Sequence, residues 1–220
     1  MDLTEKQLSS ELLYSGIIVD LTMDMAELCD GRKARREVVH HPGGVSILPV
    51  DDAGNCYMVR QYRYPVKDTV LEIPAGKLEK GEDVMVCAVR ELSEETGFTA
   101  DTFVDLGPAY ASPGISTEVI HIYLALGLRP GKSHPDDGEF LNVEKIPLDT
   151  LVEMAMKNEL IDAKTVIAVL KAKQYLASQK TNACLGEAYM VESKIGEPYP
   201  GQYPISREGV EIGKVRNQRR

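Results

Sequence analysis

The sequence predicts a layered α+β domain, and three observations support this prediction. Residues 11–50 alternate between apolar runs and turn residues, a pattern typical of short antiparallel strands. Residues 81–96 change to helical periodicity, with Met85, Ala88 and Leu92 on one face. Strand-like segments then return and are followed by two more helical segments. Because strands and helices of this kind bury their apolar faces against each other, we expect helices packed on a sheet around one core.

The predicted elements have recognisable ends. Asp30–Gly31 and Pro42–Gly44 are turn signals between the first strands. Gly97 is placed to end the first helix, and Asp149 and Asp162 are plausible N-caps of the two later helices. The strands are expected within residues 12–23, 30–41, 42–50, 56–61, 70–73, 103–109 and 119–126.

The chain divides into three predicted parts. Residues 1–45 are expected to form an N-terminal antiparallel β subdomain, and residues 46–178 a central catalytic domain. Residues 179–220 are rich in Gly and Pro and end in the basic sequence RNQRR, so we interpret them as a C-terminal extension. A chain of 220 residues is long enough for one well-buried core with such additions.

Composition excludes several classes of partner. The net charge of −9 argues against a broad nucleic-acid surface, which needs clustered Lys and Arg. A membrane partner is not expected, because every apolar run is shorter than the roughly 18 residues of a membrane span. The four cysteines are scattered without a CxxC pair, which favours free thiols in a reducing compartment. We therefore expect a cytoplasmic protein.

The most informative segment is the acidic helix within residues 76–98. Glu91, Glu94 and Glu95 fall within one turn beside the apolar stripe, where like charges repel each other. Glu94 has a possible ion-pair partner four residues earlier in Arg90, whereas this spacing gives Glu91 and Glu95 only each other. The spacing leaves two readings open: a solvated acidic face, or a site for a hard divalent cation that prefers oxygen ligands.

The same segment resembles the Nudix box. The resemblance rests on Gly76, Glu82, Arg90-Glu91-Leu92, Glu94-Glu95, Gly97 and the apolar Phe98, all at the spacing of that motif. It implies a Nudix fold, with a mixed sheet sandwiched between helices. It also implies a loop–helix–loop that binds Mg²⁺ or Mn²⁺ and an enzyme that cleaves the diphosphate of a nucleoside diphosphate linked to another moiety.

The resemblance assigns expected roles within this motif. It implies that Glu91 and Glu95 are the principal metal ligands, that Glu94 assists them, and that the carbonyl of Ala75 is a backbone ligand. Arg90 is expected to orient the carboxylates. The implied chemistry suits these groups, because divalent cations neutralise phosphate oxygens and lower the pKa of bound water.

A general base is expected on a loop well after the box. Glu139, in the sequence HPDDGEF, best matches the position of that base in the sugar-nucleotide branch of the family. With Arg90 and Glu95, it completes the predicted catalytic set. The alternative interpretation of Glu139 is a solvated acidic turn.

Features outside the box resemble the ADP-ribose and sugar-nucleotide pyrophosphatases. They are Pro113, fifteen residues beyond Phe98, and the segments VRQYRYP and LEIPAGKLE. Arg60 and Arg63 should lie on opposite faces of a strand, so only one should reach the pocket. We expect Arg63 to bind the terminal phosphate or ribose, against the alternative of a surface ion pair. The residues expected to contact substrate are Arg60, Arg63, Glu72, Pro113 and Glu118.

The expected reaction is hydrolysis of ADP-ribose or a related nucleoside diphosphate sugar to AMP and a sugar phosphate. The resemblance also implies a homodimer in which the early strands exchange, so that Arg35 or Arg36 reaches the partner's site. Two alternatives share the metal helix. One is a hydrolase of nucleoside triphosphates, against which the N-terminal strands and Pro113 count. The other is a non-catalytic module that senses a nucleotide, although such modules tend to lose the carboxylates retained here.

Overall fold

A computed structural model describes residues 2–185, with side chains from residue 2 to residue 179, and all of these residues belong to one compact unit. This part of the chain forms ten strands and three helices. The strands are β1 Lys6–Ser15, β2 Asp20–Glu27, β3 Lys33–His40, β4 Gly44–Pro49, β5 Asn55–Arg63, β6 Asp68–Glu72, β7 Ala75–Lys77, β8 Phe98–Tyr110, β9 Val119–Pro130 and β10 Leu141–Pro147. The helices are α1 Val84–Thr96, α2 Leu148–Met156 and α3 Ala163–Leu185. None of these helices is long and apolar enough to cross a membrane.

The first three strands form a separate antiparallel sheet in the order β1-β2-β3. The predicted strand within residues 12–23 is wrong in its extent, because the chain turns between Ser15 and Asp20. Gly16 makes this turn and donates its N–H to the Val19 carbonyl at 2.9 Å. A β-carbon at Gly16 would lie 2.7 Å from the ring of Tyr14, so a larger residue there would displace this exposed side chain.

Two further sheets build the central domain. One is a mixed four-stranded sheet in the order β7-β4-β9-β8, in which β4 and β9 run parallel. The other is antiparallel, in the order β10-β5-β6. The predicted mixed sheet is therefore confirmed. Strand β10 was not predicted, because Asn142, Glu144 and Lys145 interrupt its apolar residues.

Strand β4 divides the core into two layers. Val45 and Ile47 pack in the cluster that contains Cys87 and Leu92 of α1. Leu48 lies in the other cluster, which contains residues of α2 and α3. Alternate residues of a strand point to opposite faces, so α1 covers one side of the sheet and α2 and α3 cover the other. This arrangement confirms the predicted sandwich of a sheet between helices.

The helix ends follow the predicted signals with one correction. Gly97 has φ 75° and ends α1 as predicted, and Asp162 accepts a hydrogen bond from Thr165 N at 3.1 Å at the start of α3. Asp149 does not cap α2. That helix begins at Leu148, after Pro147, and Asp149 lies in its first turn, where its carboxylate pairs with Lys173.

Helix α3 continues to Leu185 and so runs past the predicted start of the extension at residue 179. Residues 179–185 contain neither Gly nor Pro, and the first such residue is Gly186. A helix can therefore continue through them, since Gly and Pro are its strongest breakers. The rest of the predicted extension lies outside the described residues.

Candidate active site

The site is built where the loop between β6 and β7 meets α1. Ile47 N of β4 donates to the Pro74 carbonyl at 2.8 Å, which holds this loop at the end of the central sheet. Asp83 caps α1 by accepting hydrogen bonds from Met85 N and Val86 N. The helix then presents Glu91 and Glu95 toward the loop. These carboxylates are 8 % and 2 % exposed, so both require partners within the protein.

Each buried carboxylate contacts a different residue of the loop. Glu95 Oε2 accepts a hydrogen bond from Ala75 N at 3.0 Å. In an extended strand the N–H and C=O groups of one residue lie on the same edge, so the Ala75 carbonyl lies on the edge that faces Glu95. The Glu91 carboxylate packs against Gly76, where a β-carbon would be 1.8 Å from Glu91 Oε1. Glycine at position 76 is therefore required for this packing.

Arg90 holds three carboxylates at once. Its Nη1 donates to Glu91 Oε1 at 2.7 Å and to Glu94 Oε2 at 2.9 Å. Its Nε and Nη2 donate to the two oxygens of Glu82 at 2.9 and 3.0 Å. The expectation that Glu91 lacks a cationic partner is wrong. A search for partners four residues apart does not reveal this pair, because Glu91 directly follows Arg90 in the sequence. The long side chain of Arg90 bends so that its guanidinium reaches the carboxylate of this neighbour.

Glu82 ties the loop before α1 to the helix. Its Oε2 also accepts a hydrogen bond from Glu79 N at 3.0 Å. The hydrogen bonds from Arg90 and Glu79 outweigh the effect of burial and lower the pKa of Glu82 to about 2. Glu82 thus remains charged and keeps the Arg90 guanidinium in place.

The carboxylate cluster is electrostatically unfavourable without a further cation. Burial raises the pKa of Glu95 to about 8, with the charges of Glu91 and Glu139 adding to the rise, and the Ala75 N–H and Arg63 opposing it. Burial also raises the pKa of Glu91, and Glu94 and Glu139 add to it against Arg90. A divalent cation would stabilise the charged forms of both groups.

These residues fit a divalent cation. Among the residues that the structure describes, no group of three or more His, Cys, Asp or Glu side chains is arranged so that it could hold a metal ion by itself. Mg²⁺ does not require such a group, because it commonly takes one or two carboxylates and completes its shell with water and substrate phosphates. Glu91 and Glu95 supply buried carboxylate oxygens that repel each other. They are hard ligands, which Mg²⁺ and Mn²⁺ prefer.

The loop between β9 and β10 brings Glu139 to this cluster. The loop starts against the end of α1, where His134 N donates to the Glu94 carbonyl at 2.9 Å. Gly97 permits this approach, since a β-carbon there would be 2.6 Å from Ser133 N. Glu139 is exposed, in a turn where its N–H donates to the Asp136 carbonyl at 3.0 Å. Its charge acts on both Glu91 and Glu95.

Arg63 lies close enough to the carboxylates of α1 to act on Glu95. Arg60 pairs instead with a carboxylate on another strand. Arg63 Nε donates to Glu72 Oε1 at 2.6 Å, and Arg63 also acts electrostatically on Glu95. Arg60 forms a two-pronged ion pair with Glu144 on β10, with Nη2 3.0 Å from Glu144 Oε2. The surface ion pair considered for Arg63 is thus found at Arg60.

Pro113 and Glu118 lie near the N-terminal sheet. The turn that contains Pro113 is closed by hydrogen bonds to the Ser112 carbonyl, and Val39 N of β3 donates to the Ile115 carbonyl at 2.7 Å. Glu118 Oε1 is 3.7 Å from His41 Nδ1. That nitrogen accepts a hydrogen bond from Gly43 N at 3.0 Å, so it carries no proton to share with Glu118. We interpret the Glu118 contact as proximity without an ion pair.

Sequence reasoning predicted the start of α3 at Asp162 but missed Lys164 beside it. Lys164 contacts Glu72 Oε2 and is 3.0 Å from Asp162 Oδ1. Thr165 Oγ1 accepts a hydrogen bond from Ile73 N at 3.0 Å and donates to Asp162 Oδ2 at 2.6 Å. One signal could have identified Lys164: a cation in the first helical turn opposes the helix dipole and therefore needs an acidic partner.

The fold and site together define a class of protein. The NUDIX domain family matches residues 40–169, and the chain belongs to this family. A solved structure titled "Crystal structure of ADP compounds hydrolase" has a TM-score of 0.72 at 23 % identity and covers 81 % of this chain and 98 % of its own. At that identity the likeness concerns the fold alone, and the predicted Nudix fold is confirmed.

Two similar proteins indicate which branch of the family this chain resembles. An ADP-ribose pyrophosphatase of Bacillus subtilis (strain 168) is 41 % identical over 182 residues, which cover 81 % of this chain and 98 % of the relative. A methanol dehydrogenase activator of Bacillus methanolicus is 40 % identical over 178 residues, or 80 % and 94 % of the two chains. The predicted similarity to the ADP-ribose pyrophosphatase branch is confirmed.

Proposed function

We propose that this chain is a Nudix pyrophosphohydrolase that cleaves ADP-ribose or a related nucleoside diphosphate sugar into AMP and a sugar phosphate. The observation that carries the proposal is the pair of buried carboxylates on α1, with Glu95 bonded to Ala75 N and Glu91 packed on Gly76. The charge of Glu139 acts on both carboxylates, and Arg63 acts on Glu95. Negative oxygens that repel each other in a partly buried site suit a cation, and a nearby guanidinium suits a diphosphate. Similarity to a pyrophosphatase of ADP-ribose supports this substrate class.

Glu91 and Glu95 would hold Mg²⁺ or Mn²⁺, with the Ala75 carbonyl as a backbone ligand and Glu94 as an assisting one. When bound, the cation supplies neutralisation of the phosphate oxygens and a lower pKa for its water. Arg90 keeps the Glu91 and Glu94 carboxylates together through Nη1, and Glu82 fixes Arg90 from the other side. Arg90 therefore supports catalysis by orienting these ligands.

Glu139 is the proposed general base. It removes a proton from water, whose oxygen forms a bond to phosphorus while the bond to the bridging oxygen breaks. Its exposed position in a turn lets it approach a substrate that lies over the carboxylate cluster. A charged base so close to Glu91 and Glu95 also contributes to their raised pKa values, which couples the base to the state of the metal ligands.

Arg63 is the proposed contact to the terminal phosphate or ribose, and Glu72 acts with it as its hydrogen-bond partner. Arg60 is assigned a smaller role in binding, because Glu144 occupies its guanidinium. Pro113 and Glu118 would contribute to binding through the segment that joins the central domain to β3.

We also propose a cytoplasmic homodimer in which residues 1–45 exchange with the partner and residues 46–178 form the catalytic domain. Strand β1 is exposed along its length, with Leu12, Leu13 and Tyr14 between 49 % and 61 % exposed, and Ile17 in the following turn is fully exposed. An apolar edge of this kind is typical of a surface that pairs with another chain. Arg35 and Arg36 lie on β3 of the same sheet.

A second candidate function is activation of a dehydrogenase. The relative of Bacillus methanolicus is named for such an activity and is nearly as similar as the pyrophosphatase. Adding the chain to a methanol dehydrogenase assay and measuring the rate of alcohol oxidation tests this candidate. A catalytically inactive variant that still stimulates the dehydrogenase would favour a binding role over hydrolysis.

The test of the proposed function is hydrolysis of a substrate panel with Mg²⁺ and with EDTA. The panel contains ADP-ribose, ADP-glucose, UDP-glucose, NADH, a dinucleoside polyphosphate and a set of dNTPs. The proposal expects metal-dependent release of AMP from ADP-ribose above the other compounds. If the dNTPs are the preferred substrates, the proposed function would change to hydrolysis of nucleoside triphosphates. If no compound of the panel is hydrolysed, a nucleotide-sensing module would be favoured.

A further inference from the structure

Lys164 occupies an unusual position in the first turn of α3. Its side chain is 12 % exposed and lies between the carboxylates of Glu72 and Asp162. A cation at the start of a helix meets the positive end of the helix dipole, so this position does not serve the stability of α3 itself. The buried partner Glu72 must account for it.

The two carboxylate oxygens of Glu72 bind two different positively charged side chains. Glu72 is 2 % exposed, with Oε1 2.6 Å from Arg63 Nε and Oε2 in contact with Lys164 Nζ. Arg63 therefore meets Glu72 through Nε alone. Within the described part of the chain, Arg63 Nη1 and Nη2 have no hydrogen-bond partner. The two nitrogens best suited to bind a phosphate thus remain available.

This geometry depends on Lys164. Guanidinium and carboxylate groups prefer a two-pronged pair, in which Nε and one Nη bind the two oxygens together. With Lys164 on Oε2, that second oxygen is occupied and Arg63 is restricted to one contact. Without Lys164, the buried Oε2 would need a new donor, and an Nη nitrogen of Arg63 is the nearest charged candidate.

We propose that Lys164 is a positioning residue for the substrate: by occupying one oxygen of Glu72 it keeps both terminal nitrogens of Arg63 directed to the diphosphate. The inference rests on the proposed function, since it needs a diphosphate at Arg63. Lys164 acts through Glu72 and Arg63 and touches neither the substrate nor the carboxylates of α1. It therefore affects affinity for substrate rather than the chemical step.

A structural role of the same helix turn can be separated from this one. Thr165 connects α3 to the loop by accepting from Ile73 N, and it is held by Asp162 Oδ2, whereas Lys164 binds the other oxygen of Asp162, Oδ1. Lys173 provides a matched control on α3, because it pairs with Asp149 through an exposed ion pair. Lys164→Met should thus leave the fold intact, and Lys173→Met should leave substrate binding unchanged.

The test is binding of ADP-ribose to the full chain in the presence of EDTA, measured by calorimetry, together with kcat and KM in Mg²⁺. Lys164→Met should weaken binding about tenfold, while kcat changes less than about threefold, because the loss is one of binding contacts. Lys164→Arg should restore most of the affinity. In the Arg63→Met background, Lys164→Met should have no further effect, because both changes remove the same contact.

Equal affinity of the wild type and Lys164→Met for ADP-ribose would overturn the inference. It would also be overturned if Lys164→Met weakened binding in the Arg63→Met background by the same factor as in the wild type. If thermal unfolding shows that the methionine variant is unfolded, Lys164→Gln replaces it. Because glutamine keeps a donor for Glu72 Oε2, Lys164→Gln should retain most of the affinity, and a loss as large as that of Arg63→Met would overturn the inference. A wild type that binds ADP-ribose without cleaving it would contradict the proposed function, and the binding comparison would still decide the role of Lys164. A wild type that neither binds nor cleaves would overturn both.

Discussion

Glu95 on α1 accepts a hydrogen bond from the backbone N–H of Ala75 across 3.0 Å. This single contact joins the buried end of the acidic helix to the loop after β6. Glu95 is 2 % exposed and lies beside a second buried carboxylate, that of Glu91, on the preceding helical turn. The protonation of Glu95 therefore connects the stability of the metal-free protein to its affinity for a cation.

The first prediction concerns pH. Because the pKa of Glu95 is raised from 4.5 to about 8, its contribution to stability is fully present below pH 4.5 and is lost as the pH rises through 8. The metal-free protein should therefore lose thermal stability between these values, and Glu95→Gln should flatten the dependence. Thermal unfolding in EDTA from pH 5 to pH 9 measures the effect. An unchanged slope in the variant would assign the dependence to other groups.

The second prediction concerns Gly76. Gly76→Ala places a methyl group 1.8 Å from the expected position of Glu91 Oε1, so the carboxylate must leave its place. Displacement of a reacting group by about 1 Å can cost roughly 100-fold in rate, and we expect a loss of that size. Steady-state rates with ADP-ribose measure it. Gly114→Ala is the matched control, because a β-carbon there meets no atom within 4 Å. Equal activity of both variants would contradict the packing of Glu91 on the loop.

The third prediction concerns the charge of Glu91. Glu91→Gln preserves shape and removes a negative oxygen from the proposed metal site, so activity should fall by at least about 100-fold. Binding of Mn²⁺, followed by calorimetry, should weaken in parallel. Glu153→Gln is the control, since Glu153 is exposed and pairs only with Lys157 on the surface of α2. If activity survives in Glu91→Gln while Mn²⁺ still binds, the ligand assignment is wrong.

The fourth prediction compares Arg63 with Arg60. Arg63→Ala removes a guanidinium next to the cluster and should raise KM for ADP-ribose about tenfold or more. Arg60→Ala breaks a half-exposed pair with Glu144 and should change KM by less than about threefold. The two residues lie on one strand and carry the same group, so each controls for the other. A larger effect at Arg60 would reverse the assignment.

Sequence reasoning identified the acidic helix because its chemistry is local. Gly76, Glu91 and Glu95 lie within twenty residues of each other, and helical geometry alone brings the two carboxylates together. The fold class was equally accessible, because strand and helix periodicities differ. Gly97 shows the same locality, since it both ends α1 and lets the Glu139 loop approach.

Contacts between distant segments were not accessible from the sequence. Lys164 lies 92 positions from Glu72, and Glu144 lies 84 positions from Arg60. The pairing of β5 with β10 brings Arg60 to Glu144. The packing of α3 against the end of β6, where Ile73 N donates to Thr165 Oγ1, brings Lys164 to Glu72. The turn at Gly16 was missed for a different reason, since the apolar residues on both sides of it resemble one continuous strand.

The carboxylates of α1 are proposed to hold a cation that drives cleavage of a nucleoside diphosphate sugar. The most direct test is the initial rate of AMP release from ADP-ribose by the full chain in Mg²⁺, after excess EDTA, and after Mg²⁺ is restored. The expected result is rapid release of AMP, loss of that release with EDTA, and its recovery when Mg²⁺ is restored. Release that continues unchanged in EDTA, or no release in Mg²⁺ or Mn²⁺, would contradict it.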